Sequence, residues 1–171
     1  MKKILSAALM AALLLSVSAG ALAATGLGSV TEVTNTAATA DKAGSVSVDT
    51  TMCAVELDDE GKIVSVSFDV VLSSGAYDAT GAVSGEATAT PSSKVELKEE
   101  YGMKKASSIG KEWYEQMAAL EAWCIGKTVD EVLATPLDDN GKATDADLVS
   151  GCTVHINAQL EALAKAAANA K

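Results

Sequence analysis

The sequence contains no arginine, and all 13 of its basic residues are lysine. Without guanidinium groups, the chain lacks the planar fork of donors that binds a phosphate in a bidentate manner. Its 23 acidic residues give a formal net charge of -10, which repels polyanions. These features argue against nucleic acid as a partner. An anionic cofactor would have to be held by backbone N–H groups, hydroxyls, lysine or a covalent bond.

Cysteine and histidine are scarce. The spacings of Cys53, Cys124 and Cys152 match no zinc-binding pattern, and an odd number leaves at least one of them outside any intramolecular disulfide. They are either small buried apolar residues or one disulfide with a free thiol. The single histidine, His155, has no triad-like spacing, so nothing favours hydrolase chemistry. A reactive Cys152 thiol beside His155 is an alternative, since residues i and i+3 of a helix adjoin.

Long apolar runs are absent except near the N-terminus. Two lysines precede an apolar stretch from 4 to 17, and the three residues ending at Ala23 have the small-residue pattern of a cleavage site. The stretch is shorter than the roughly 20 residues that span a bilayer. The pattern predicts a secretory signal peptide at 1–23 and a secreted or extracytoplasmic protein. Such a protein contacts a membrane surface only peripherally, if at all.

Large apolar residues are also few from 24 to 43, which predicts a flexible lead-in or, alternatively, a poorly defined first strand. Residues 45–72 then alternate between apolar and polar on both sides of a polar turn at 58–62. This pattern predicts an antiparallel hairpin with one buried face. A change of phase near 50–52 predicts a bulge or a break in the first strand of the hairpin. The loop that follows includes a short strand around 85–90.

Helical patterns follow the hairpin. The expected helices span about 107–124, about 129–134 and about 153–169. The first has an apolar stripe that includes Trp113, a candidate core anchor together with Trp123. The second begins at a capping box formed by Thr128 and Glu131. The sequence thus predicts an α+β fold, in which an antiparallel sheet packs against helices in a single domain at 44–171.

The stretch from Asp147 to Thr153 has the composition of a phosphate site. Ser150 and Thr153 supply hydroxyls, and Gly151 allows a close approach of the backbone. Leu148-Val149 is interpreted as an extended segment that leads into the final helix, whose free N–H groups would attract an anion. A simpler interpretation is that a hydroxyl of this stretch only caps the helix. The acidic loop before it lacks the ligand spacing of an EF-hand, so no metal site is predicted.

The pattern Asp147-x-x-Ser150-Gly151-x-Thr153, followed by a helix, resembles the flavin-attachment motif of the FMN-binding domain family. That family includes flavin-carrying subunits of sodium-pumping and Rnf-type redox complexes, and various secreted electron carriers. In its covalent members, a flavin transferase joins the FMN phosphate to the threonine of the motif by a phosphoester bond. The resemblance places that bond at Thr153.

The resemblance extends upstream in the order of elements, over about 45–165, and includes a Gly-Lys-Ile turn at 61–63. Only the seven-residue motif is specific. Cys152 departs from the alanine that the family prefers, which bears on recognition by the transferase. The residues that the resemblance assigns to the cofactor are Asp147, Ser150, Gly151, Cys152 and Thr153.

The resemblance implies an exported electron carrier with FMN on Thr153, rather than a self-contained enzyme with catalytic residues. Its partners would be a flavin transferase and a redox partner protein. The rings of the flavin are expected to stack against Tyr101, Trp113 or Tyr114. The alternative is a flavin-free secreted binding or cell-surface interaction module of the same fold. The departure at Cys152 and an aromatic content of only 4% favour that alternative.

Overall fold

A computed structural model describes residues 23–84 and 91–171 of the chain. The predicted signal peptide, apart from Ala23, lies outside the described residues, and so does the short strand expected around 85–90. No helix within the described ranges is long and apolar enough to cross a membrane.

The described residues form an antiparallel sheet and five α-helices. The strands are β1 (Ala24–Thr36), β2 (Gly44–Leu57), β3 (Ile63–Tyr77) and β4 (Val83–Ser84). The helices are α1 (Lys94–Leu97), α2 (Trp113–Cys124), α3 (Val129–Leu133), α4 (Ala146–Val149) and α5 (Asn157–Ala168), and a 3-10 helix (Lys98–Tyr101) continues α1. The strands are neighbours in chain order, and α2 and α5 pack against the sheet. This architecture confirms the predicted α+β fold class.

The strands β2 and β3 form the predicted hairpin. Its turn is held by Asp58, whose carboxylate accepts hydrogen bonds from the backbone N–H groups two and four residues later, at 3.0 and 2.8 Å. Gly61 completes the turn with a φ of 75°, which glycine adopts without strain. The same Asp-x-x-Gly turn recurs at 78–82 and 138–142, with the same two side-chain bonds. The same type of hydrogen-bonded turn therefore reverses the chain direction at three places.

The predicted bulge near 50–52 is wrong. Pairing of β2 with β3 is uninterrupted there, and the register shifts only between Glu56 and Leu57. Alternation continues along β2, so that Cys53 faces the core whereas Val48 projects from the opposite face. The sequence pattern changes phase because apolar residues occupy different faces at the two ends of the strand.

The predicted flexible lead-in is also wrong for its first thirteen residues. These residues form β1, in agreement with the alternative prediction of a first strand. A Cβ atom on Gly26 or Gly28 would overlap the carbonyl oxygens of Ala166 and Ala162 in α5. The helix therefore packs directly on the backbone of the strand through these fully buried alanines. Large apolar residues are few in β1 because α5 occupies the space that their side chains would fill.

The core lies between the inner face of the sheet and the helices. Phe68 from β3, Met117 from α2 and Leu163 from α5 are at most 1% exposed. Trp113 is 4% exposed, which confirms it as a core anchor, and Trp123 packs against the same cluster while only partly buried. Burial of this apolar surface is the main favourable term for such a domain.

All three cysteines are buried with free thiols. Burial is the main cause that raises the pKa of Cys53 and of Cys124 to about 12. Burial likewise raises the pKa of the Cys152 thiol. The structure thus supports the interpretation of small buried apolar residues over that of one disulfide.

The helix α2 begins at Trp113, six residues later than expected. The buried carboxylate of Glu112, its N-cap residue, accepts hydrogen bonds from the backbone N–H groups of Met103 and Lys104 at 2.8 and 3.0 Å. These bonds hold the preceding segment in turns rather than in a helix. The capping box that begins α3 is confirmed, with Thr128 N–H donating to the Glu131 carboxylate at 2.8 Å.

Candidate functional site

The predicted corner at 147–153 is not a helix N-terminus. Asp145 caps α4 by accepting the N–H groups of Asp147 and Leu148 at 3.0 and 3.3 Å. The segment Leu148-Val149 is therefore helical, and the extended segment expected there is wrong. The helix α5 begins at Asn157, so the expected start at 153 is wrong as well. Burial of Leu148 explains why this segment is helical, because the helix that Asp145 caps directs the Leu148 side chain into the core.

Asp147 lies within α4, and the other residues of the motif follow in the turn between α4 and α5. Asp147 and Ser150 are exposed, and the Ser150 hydroxyl donates to the Asp147 carbonyl oxygen at 2.7 Å. Gly151 is buried, and a Cβ atom there would come within 2.6 Å of the Ala119 Cβ atom of α2. Glycine is thus required for close approach, although here it approaches a helix of the same chain. Cys152 is fully buried.

Thr153 is partly buried and is held by a residue that the sequence did not single out. Both its backbone N–H and its hydroxyl donate to Oε1 of Gln116, at 2.8 and 3.2 Å. Gln116 is fully buried, and its Nε2 donates to the Ser107 hydroxyl and the Lys111 carbonyl oxygen at 3.1 and 3.3 Å. The sequence signal that could have indicated Gln116 is its position, since this polar amide directly precedes Met117 of the apolar stripe of α2.

One ammonium group lies close to the turn. Nζ of Lys111 is 3.9 Å from the position that a Cβ atom on Gly151 would take. The charge of Lys111 lowers the pKa of Cys152, but burial raises it more, so the thiol stays protonated at neutral pH. The lysine instead gives this turn the positive charge that the missing helix N-terminus does not supply.

The alternative of a reactive Cys152 thiol is contradicted. The thiol is inaccessible, and residues 152–155 are not helical, so the i, i+3 argument does not apply. His155 is exposed and forms a bridge to Lys142 along the backbone.

A cavity of about 100 Å³ lies beside the turn, where the inner face of the sheet meets α1, α2 and α5. Glu32 and Asp49 line it from the sheet, and Tyr101 and Trp113 line it from the helical side. The ammonium of Lys94 lies 5.1 Å from the centroid of the Tyr101 ring and 5.2 Å from that of Trp113. Two of the three aromatic residues expected near a flavin are thus brought together.

The cavity and Thr153 are neighbours. Val154 and His155, which follow Thr153, line the cavity. Trp113 lines it too, and Gln116, which binds Thr153, lies about one helical turn further along α2. Tyr114 does not line the cavity; its hydroxyl donates to the Glu99 carboxylate at 2.9 Å.

These residues fit the phosphate end of a covalently held FMN, but they do not fit its fused rings. Thr153 is partly buried, its hydroxyl would exchange the hydrogen bond to Gln116 for the ester, and Lys111 would supply a positive charge near this turn. The cavity holds about three water molecules by volume, so it cannot enclose the three fused rings of a flavin. A flavin on Thr153 would therefore be retained by its bond rather than by an enclosing pocket. In the part of the chain that the structure describes, no three His, Cys, Asp or Glu side chains cluster as a metal site would require.

The comparisons with known proteins give a partial similarity to a reductase. The chain is 39% identical over 120 residues to a chlorophenol reductase of Desulfitobacterium hafniense, and the alignment covers 57% of this chain and 37% of that protein. The chain thus spans little more than a third of the length of the curated relative that it matches. No protein-family model and no solved structure matches. Membership in the FMN-binding domain family therefore stays a prediction.

Proposed function

We propose that this protein is an exported electron carrier with FMN joined to Thr153 through a phosphoester bond. The observation that carries the proposal is the position of Thr153, a partly buried residue two positions after Gly151, beside which the ammonium of Lys111 lies. The similarity to part of a chlorophenol reductase supports a redox role. The bound FMN would supply the redox chemistry, as cofactors do, and the chain would hold and orient it.

The residues around Thr153 have separate tasks in this proposal. Gln116 Oε1 accepts the Thr153 backbone N–H at 2.8 Å, and this bond would hold the residue in place after the hydroxyl gives up its own 3.2 Å bond to form the ester. Lys111 offsets the charge of the phosphate, which no arginine in this chain can do. Ser150 and Asp147 are exposed beside the hydroxyl, where a transferase can reach them. Cys152 is inside the fold, so its difference from alanine concerns packing more than recognition.

Coexpression with a flavin transferase tests the attachment. The intact mass of the purified protein should increase by one FMN less water, and a peptide map should place the addition on Thr153. Thr153→Ala should abolish the addition, whereas Thr144→Ala, at an exposed threonine of the preceding loop, should keep it. Covalent flavin on the Thr153→Ala protein, or an addition that moves to Ser150, would show that the assignment of the residue is wrong.

Export is tested separately. N-terminal sequencing of the protein recovered outside the cytoplasm should begin at Ala24 if the signal peptide is cleaved as predicted. A chain that retains its first 23 residues would contradict the proposed processing without bearing on the flavin.

A flavin-free binding module remains the second candidate. Leu27 and Val33, both on β1, are 68% and 64% exposed, and they would suit contact with a partner protein. An unmodified, colourless protein after coexpression with the transferase would favour this candidate over the first.

A further inference from the structure

The face of the sheet opposite the helices is open to solvent. This outer face consists of alternate residues of three paired strands, from 25 to 35 in β1, from 46 to 56 in β2 and from 65 to 75 in β3. In the part of the chain that the structure describes, none of these side chains is buried, whereas the residues between them include the sheet side of the core. Leu27 and Val33 are the most exposed apolar residues of the face. A broad exposed face with apolar residues indicates contact with another molecule.

The outer face has few charges. Although 21% of the chain is charged, only Glu56 and Asp69 are charged on this face. The Asp69 carboxylate is occupied at the edge of β3, where it accepts the backbone N–H groups of Val70 and Val95 at 2.7 and 3.1 Å. The face has no lysine, so an anionic membrane surface finds no charge to bind. Depletion of charge is typical of the core of a protein–protein interface.

The size of the outer face suits association of two chains. Strands lie about 4.8 Å apart and rise about 3.3 Å per residue, so the three stretches cover about 500 Å² in plan. Two such faces in contact therefore remove about 1,000 Å² or more from water, which is what a specific interface needs.

The pattern of the outer face matches itself about a two-fold axis. The axis runs across the strands at Thr31 and Thr50, which are paired and whose hydroxyls are hydrogen-bonded to each other at 3.1 Å. Residues equally far from the axis on one strand then face each other across the interface. On β2 and beside the axis on β1, apolar residues thus meet apolar or small residues of the second copy: Val46 with Ala54, Val48 with Met52, and Val33 with Ser29.

The same axis separates the negative charges. Glu56 lies six residues from Thr50, so the two Glu56 side chains of a pair lie at opposite ends of the interface, about 40 Å apart. This distance is several times the screening length of about 8 Å at physiological salt, so these charges do not repel each other appreciably.

We propose that the outer face joins two copies of this chain in a two-fold dimer, sheet against sheet. One two-fold axis closes such an assembly, so it stops at two chains. The helices and Thr153, which is bound to α2, lie on the other side of each sheet and stay open to solvent and to other proteins. The proposal therefore does not depend on flavin.

Sedimentation equilibrium of the purified protein, made without a flavin transferase, tests the proposal. The mass should rise with concentration from that of one chain to that of two, with half of the chains paired at about 10–100 μM. The mass of one chain at about 1 mM would overturn the proposal. A mass that continues to rise beyond two chains would overturn it too, because a two-fold interface is closed.

A lysine on the outer face should separate the chains. Val33→Lys keeps an exposed position on an edge strand but buries a charge in the dimer, so it should raise the dissociation constant of the dimer at least about tenfold. Ile125→Lys adds the same charge at an exposed apolar residue after α2 and should leave the constant unchanged. Circular dichroism verifies the fold of both variants. Undiminished pairing of folded Val33→Lys protein would contradict the assignment of the face.

Cross-linking distinguishes the outer face from the edge of β1. The three native cysteines are buried, so Thr50→Cys supplies an accessible thiol on the proposed axis. Packed sheets lie about 10 Å apart, with these side chains pointing at each other, so a bismaleimide shorter than about 10 Å should link two chains. Pairing through the β1 edges would separate the two positions by three strand spacings, about 14 Å, and prevent the link. Ile125→Cys is the control and should stay unlinked, and a dimer that Thr50→Cys fails to link would overturn the proposed face.

Discussion

At the residue scale, Gln116 connects the core to the candidate attachment site. Its fully buried amide accepts two hydrogen bonds from Thr153 and donates to Ser107 and to the Lys111 carbonyl oxygen. A buried amide with all of these partners fixes one geometry for the turn. The position of Thr153 is thus determined by α2, a helix distant in the sequence, rather than by the motif alone.

Replacement of this amide should be destabilising. Gln116→Met removes the acceptor for Thr153 and should lower the free energy of unfolding by about 1–3 kcal/mol, because the Thr153 N–H is left without its partner. Urea unfolding followed by circular dichroism measures the change. Tyr114→Phe, which removes an exposed hydrogen bond on the same helix, should change stability by less than about 0.5 kcal/mol. Equal effects of the two variants would contradict the role given to Gln116.

The parts of the candidate site differ in how far the sequence predicts them. Gly151 was predicted to allow close approach of the backbone to an anion, but it approaches Ala119 of α2, and the extended segment and helix start predicted around it are wrong. Gln116 and Lys111 are brought to the turn only by tertiary packing, so no local pattern indicates them. The sequence predicts the cavity least well, because Glu32 and Lys94 come from elements whose packing against each other the sequence does not specify.

At the scale of elements, a side chain of α2 protects the edge of β3. The carboxylate of Glu121 accepts the backbone N–H of Phe68 at 2.8 Å, where no strand among residues 23–84 and 91–171 pairs with that group. Burial is the main cause that raises the pKa of Glu121 above its ordinary value, although the bond from Phe68 lowers it. The folded state therefore favours the protonated form of Glu121 more than the unfolded state does.

The sign of the resulting pH dependence follows from the raised pKa. The ionised carboxylate is disfavoured in the folded state, so Glu121 should reduce stability as the pH rises from the ordinary pKa of about 4.5 through the folded-state value. Glu121→Gln keeps an acceptor for Phe68 and should flatten this part of the stability profile. Denaturant unfolding between pH 4 and 7 measures it, with the exposed Glu100→Gln variant as control. A profile unchanged by Glu121→Gln would contradict the assignment.

The elements themselves were predicted best where local signals decide them. Alternation predicts β2 and β3, and the capping box predicts α3 within a residue or two. The start of α2 was misplaced because Glu112 binds backbone groups nine and eight residues earlier, which no helical pattern indicates. The strand β1 was obscured because its inner face has glycine at 26 and 28, and only Val30 on that face is a large apolar residue.

At the scale of the whole molecule, β1 and α5 join the two ends of the described chain. Besides the contact of glycines with alanines, Lys165 and Asn169 donate side-chain hydrogen bonds to the carbonyl oxygens of Ser29 and Leu27 at 3.3 and 3.1 Å. These bonds cover part of the free edge of β1. An edge covered in this way is less open to pairing with another chain.

A larger residue at the contact between β1 and α5 should destabilise the whole domain. Gly28→Ala places a methyl group against the backbone of α5 and should lower the free energy of unfolding by about 1–3 kcal/mol, as overpacking does. Gly75→Ala, in β3, meets no atom within 4 Å and should change stability by less than about 0.5 kcal/mol. Thermal unfolding of the two variants makes the comparison. A Gly28→Ala protein as stable as the Gly75→Ala protein would contradict direct packing of α5 on the backbone of β1.

The contact between β1 and α5 also sets the order of events when the chain emerges from a ribosome or a translocation channel. The strand Ala24–Thr36 emerges well before the helix Asn157–Ala168 that covers it. Until then β1 has no helix against its glycines, and closure of the fold must await contacts between residues far apart in sequence, which are slow to form. The contact between β1 and α5 should therefore form late in folding, after the local hairpin of β2 and β3.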